Sequence, residues 1–172
     1  MKNKTRNSIF ITLIVLILLC LAVTVWALFF RDTTPAVTPD YPPQGIEPNQ
    51  SVMQEDNTSK LDAPEGGGAI NVTFSTSATA SLSADTVALY YANPAASNQN
   101  VAITLMIDEL VVAKSELITP GHEIRELKLE DEAKSVLKAG GYDAELVVRA
   151  YNDEGEKAMV DTKGEITLTV SE

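Results

Sequence analysis

The stretch Gly140-Gly141-Tyr142-Asp143-Ala144-Glu145-Leu146-Val147-Val148-Arg149-Ala150 decides the fold. Two glycines mark a turn, and Ala144, Leu146, Val148 and Ala150 then recur at every second position. That is the period of a strand with one face in a core. Tyr142 stands at the strand's opening, where a phenolic hydroxyl can reach back to upstream backbone and pin the preceding corner.

The same period recurs on both sides of this stretch. Ile70, Val72 and Phe74 alternate with polar residues, as do Val87, Leu89 and Tyr91, then Val101, Ile103, Leu105 and Ile107, and finally Ile166, Leu168 and Val170. Turn signals separate the runs: Ala84-Asp85, Asn93-Pro94, Asp108-Glu109, Pro120-Gly121 and Glu154-Gly155. Ala78 to Ser83 and Val111 to Ser115 read as short or edge strands. Between Ile124 and Leu127 the apolar phase slips, which predicts a bulge or an irregular strand. Glu130 to Lys138 has acids first, lysines last and glycine beyond, the order that complements a short helix's dipole. Residues 69–172 are therefore expected to form an all-β domain, an Ig-like antiparallel β-sandwich of about seven or eight strands. In it Tyr142 is the candidate tyrosine corner, with Gly140 and Gly141 as its turn.

Upstream the composition changes. Residues 31–68 hold six of the eight prolines and seven of the acids, with almost no apolar period. Such a segment buries too little apolar surface to offset its chain entropy, so a disordered linker is expected there. Before it, Ile9 to Phe30 is 22 residues without charge, proline or glycine. As a helix it would extend about 33 Å, enough to cross a hydrocarbon layer of about 30 Å. Lys2, Lys4 and Arg6 precede the stretch, whereas Arg31 alone follows it and has Asp32 beside it. The positive-inside rule then places residues 1–8 in the cytoplasm, 9–30 in the membrane and 69–172 outside the cell. The apolar run is too long for a cleaved signal peptide. Leu18 and Leu19 before Cys20 do not make a lipobox, so an uncleaved signal-anchor is the expected state.

Net charge is −11, from 24 acidic and 13 basic side chains. Such a field repels phosphate backbones and argues against a nucleic-acid partner. One cysteine and one histidine leave no disulfide framework and no Cys/His metal cluster. His122 follows Pro120-Gly121, with Ser115 and Ser135 in other elements and no nucleophile motif, so no catalytic residue is expected. Asn152-Asp153-Glu154-Gly155-Glu156, with Asp108 and Glu109, could offer oxygen ligands to calcium, but the EF-hand spacing is absent. An acidic hairpin turn is the simpler reading, and no metal or other cofactor is expected.

Several turns carry a resemblance. Glu65-Gly66-Gly67-Gly68, Asn93-Pro94, Ser97-Asn98-Gln99, Pro120-Gly121, Gly141-Tyr142-Asp143 and Gly155-Glu156-Lys157-Ala158 resemble those of small single-span surface proteins of Gram-positive bacteria. The resemblance spans nearly the whole chain and implies the same fold and location. The expected function is a non-enzymatic, membrane-anchored surface protein that presents its sandwich to a protein or cell-envelope partner. The alternative is an accessory subunit of a membrane secretion or DNA-transfer machine. The polar loop Asn93, Pro94, Ser97, Asn98, Gln99 and Asn100 is the candidate interaction surface, because loops on rigid scaffolds commonly carry recognition.

Overall fold

The computed structural model describes residues 16, 17, 19, 20, 42–54, 59–62, 68–158 and 160–172. Two compact units emerge, Met1–Pro39 and Asp40–Glu172. In the first, the four described residues are helical, and Leu16, Ile17 and Leu19 are exposed. No helix among the described residues is long and apolar enough to cross a membrane. The expected span, Ile9 to Phe30, lies outside the described residues except for those four.

The second unit is all-β with one short helix. Its strands are β1 (Ser51–Val52), β2 (Thr73–Phe74), β3 (Ser77–Ser81), β4 (Thr86–Asn93), β5 (Asn100–Ile107), β6 (Leu110–Lys114), β7 (His122–Lys128), β8 (Gly140–Tyr151) and β9 (Thr162–Ser171). They form one curled sheet in the order β1-β7-β4-β3-β9-β8-β5-β6, with β2 also on β4. Every alternating run of the sequence contributes to a strand. Val101, Ile103 and Leu105 of β5, Leu146 and Val148 of β8, and Ile166, Leu168 and Val170 of β9 all lie in the core. The turn residues Asp85 and Asp108 adopt left-handed backbone, which a short polar side chain tolerates.

Several features differ from expectation. First, the sheet is mixed rather than antiparallel. Residues Ser77–Ser81 of β3 pair in parallel with Thr167–Ser171 of β9 while Thr79–Ser81 pair antiparallel with β4. The chain's early strand thus bridges the two halves of the sheet. Second, the irregularity foreseen in β7 is a register shift against β4, between Ala88 and Tyr91. The helix α1 is shorter than the Glu130–Lys138 span and covers Asp131–Val136, with Ala133 buried and Lys134 paired with Asp85.

Third, the packed unit begins well before residue 69. Residues 45–53 form a strap. Ile46 bridges Leu117 in parallel, and β1 pairs Ser51 with Glu123 and Val52 with His122. Glu47, only 5% exposed, accepts the Glu116 N–H at 2.9 Å and the Asn49 N–H at 3.2 Å. Gln50 accepts the Thr119 N–H at 3.1 Å. Two side-chain acceptors thereby do what a longer ladder would otherwise do. The rest of the expected linker, residues 31–41, 55–58 and 63–67, lies outside the described residues.

Candidate functional site

The loop between β4 and β5 carries the residues expected to meet a partner, yet its polar groups mostly face inward. Asn93 is fully buried at the end of β4 and donates its amide to the carbonyls of Gln99 and Ile118, each at 3.0 Å. That fork ties the loop's two ends together. Pro94 is buried and accepts the Ser97 N–H at 2.9 Å. Buried Ser97 accepts the Asn71 N–H at 2.9 Å through its hydroxyl. Asn98 accepts the Ala69 N–H at 2.8 Å through its side chain and donates its own N–H to the Ala69 carbonyl at 3.0 Å. Asn100 opens β5 opposite Tyr151. The reason is an accounting one: residues 68–72 enter the sheet without a ladder, and the loop's side chains satisfy their backbone. The loop's polar side chains thus clamp the neighbouring backbone.

Gln99 is the exception. The residue is 8% exposed, and its amide packs against Gly68. It lines a groove of about 620 Å³ with Ile70, Ala150, Ala158, Val160 and Thr162. One wall is the entry segment at Gly68 and Ile70, and the other is the β8–β9 hairpin. Val160 is 78% exposed, so the groove has an apolar lip open to solvent.

A second groove, of about 800 Å³, lies farther along the same two strands. Thr76, Asp108, Asp143, Glu145, Glu165 and Thr167 line it. Glu145 stands directly opposite Glu165 in the β8–β9 ladder. Like charges facing each other across a ladder are unfavourable. Lys163 relieves the strain by meeting Glu145 at 2.8 Å.

At the start of β8, the Tyr142 hydroxyl donates to the Lys138 carbonyl at 2.9 Å and accepts the Lys138 N–H at 3.2 Å. Gly140 and Gly141, the first two residues of the strand, are exposed, and a β-carbon on Gly141 would meet open space. His122 is the first residue of β7, its Nδ1 within 2.9 Å of Thr119 Oγ1 and 3.2 Å of the Pro120 carbonyl. Ser115 accepts the Ile103 N–H and Ser135 donates to the Glu132 carbonyl, so both hydroxyls serve backbone. In the acidic hairpin, Asn152 accepts the Glu156 N–H at 2.7 Å and donates to its carboxylate at 2.9 Å. That Asn–Glu clasp closes the loop. Among the described residues no three acids, histidines or cysteines are grouped to hold a metal.

The two grooves and the strap were not legible in the sequence. Glu47, Gln50 and Val160 sit in stretches without periodicity, and nothing local marks them. The like-signed residues Glu145 and Glu165 would have drawn attention only once their register was known.

No protein-family model matches the chain, and no curated protein matches it. Among solved structures it is similar to AggA, the major subunit of aggregative adherence fimbriae type I from Escherichia coli. The likeness has 15% identity and a TM-score of 0.30, covering 65% of this chain and 97% of that one.

Proposed function

We propose that the chain is a non-enzymatic, membrane-anchored surface protein whose β unit is presented outside the membrane to a protein or cell-envelope partner. The observation that carries this reading is the charge asymmetry of the apolar stretch. Three cations precede Ile9 to Phe30, and only Arg31 follows, beside Asp32. After the stretch the chain has 10 basic and 24 acidic residues, a net of −14 that leaves nucleic acid a poor partner.

The finer fold is an immunoglobulin-like sandwich. Its support is the strand order: β3 lies between β4 and a parallel β9, and β8, β5 and β6 follow β9 in the same curled sheet. The hydroxyl of Tyr142 clasping Lys138 backbone before the long β8 belongs to the same pattern.

Protease added to intact spheroplasts tests the topology. The β unit should be removed and an anchored stub left; a protected C-terminal epitope would overturn the reading. Exchanging Ile9 to Phe30 for an unrelated apolar helix should preserve partner capture by crosslinking. Loss of every partner on that exchange would favour a subunit that assembles through its span in a secretion or DNA-transfer machine.

A further inference from the structure

Strand β9 is paired along one side by β8 from Thr162 to Val170. Along its other side β3 begins only at Thr167. Among the described residues, Thr162–Ile166 therefore has no strand neighbour on that side. These five residues, without a described strand partner on that side, extend about 17 Å with the Phe74 ring against Gly164, and carry backbone donors and acceptors able to pair with another chain. Both grooves border this edge. Thr162 lies in the groove lined by Ile70, Ala158 and Val160, and Glu165 and Ile166 lie in the acidic one.

We propose that this edge is a docking site for an extended polypeptide segment of a partner, apolar at the end near Thr162 and basic at the end near Glu165. The segment adds a strand beside β9, in line with the ladder that β3 already forms on the same side. An apolar side chain enters between Ile70 and Val160. At the other end lysine or arginine meets Asp143 and Glu165, with Asp108 beyond. Charge complementarity selects the partner: the ladder keeps Glu145 opposite Glu165, with Lys163 on Glu145. An incoming cation relieves the remaining repulsion. The inference deepens the surface-module reading and rests on it for the partner's access.

The test uses the full chain in detergent micelles and a fluorescein-labelled peptide, valine-threonine-valine-threonine-lysine-threonine-lysine, followed by fluorescence anisotropy. The expected result is saturable binding that weakens as salt rises. Amide hydrogen exchange should slow within residues 162–166 of the bound protein. Asp143→Lys with Glu165→Lys, both at exposed positions, should weaken binding at least tenfold, and a peptide with glutamate for lysine should recover it on that variant. Val160→Asp should weaken both peptides on their matching proteins. Circular dichroism of each variant reports whether it folds, and Val160→Asp carries the test if the charge-reversed protein does not. No binding by the wild type, binding without protection at 162–166, or equal affinity for either peptide charge would each overturn the proposal. Protease protection reads the topology separately, so an accessible β unit that ignores the peptide sinks this inference alone.

Discussion

The Phe74 ring lies directly on the backbone of Gly164. A β-carbon at residue 164 would overlap the ring and stand within 3.2 Å even of its Cε1 atom. Phe74 belongs to β2, which pairs with β4, whereas Gly164 sits in β9. The contact therefore locks one half of the curled sheet to the other, and a missing side chain makes room for it.

Gly164→Val should accordingly destabilise the β unit by about 1–3 kcal/mol, the usual cost of overfilling a packed site. Phe74→Leu should cost stability alone but soften the effect of Gly164→Val. A urea-unfolding double-mutant cycle checks this, and strict additivity of the two changes would mean that they do not share the site.

Two tyrosines should respond oppositely to loss of the hydroxyl. Tyr142 gives and accepts a bond at the Lys138 backbone, so Tyr142→Phe should cost about 1 kcal/mol. Tyr91 is fully buried, and its hydroxyl has no partner among the described residues. Tyr91→Phe removes a desolvated group that gains nothing in return, so the melting temperature should stay level or rise. A large loss for Tyr91→Phe would reveal a bound water or another partner.

Alkaline pH should act through the same buried hydroxyl. Burial pushes the Tyr91 phenol well above its ordinary value of 10.0. Tyr90 is also raised, by burial first and then by the charge and hydrogen bond of Glu123, against an opposing pull from Arg125. The folded state thus keeps protons that the unfolded chain releases near pH 10. This contribution is intact below that value and is lost as pH rises above it. The urea midpoint should fall from about pH 10 upward, the ordinary range of a free phenol, and Tyr91→Phe should flatten the decline.

The strap gives a further prediction. Glu47→Ala leaves the Glu116 and Asn49 N–H groups without their acceptor, a loss of about 1–3 kcal/mol if water does not replace it. Amide exchange should accelerate at Glu116 and in Ser51–Val52 while the centre of β8 stays protected. Uniform acceleration would mean that the strap folds with the core as one unit.

The sequence by itself determined the strands, their inward faces and most turns, because side-chain alternation and turn chemistry are local. A residue such as Leu146 declares its burial through its neighbours two positions away, and Asp108 declares its turn. The Tyr142 contact is local in the same way, since its hydroxyl reaches backbone only four residues upstream. Tertiary structure alone decided the rest. The parallel pairing of Ala80 with Val170 joins residues 90 positions apart, and Glu47 meets Glu116 across 69. Nothing in either segment's own period encodes its partner. The loop from Asn93 to Asn100 shows the limit most sharply. Its polar side chains have the composition of a solvated surface, and only the nearby unladdered backbone of Ala69 and Asn71 turns them inward. A hydrogen-bonding side chain takes whichever unsatisfied partner the fold brings near, and that choice is made in three dimensions.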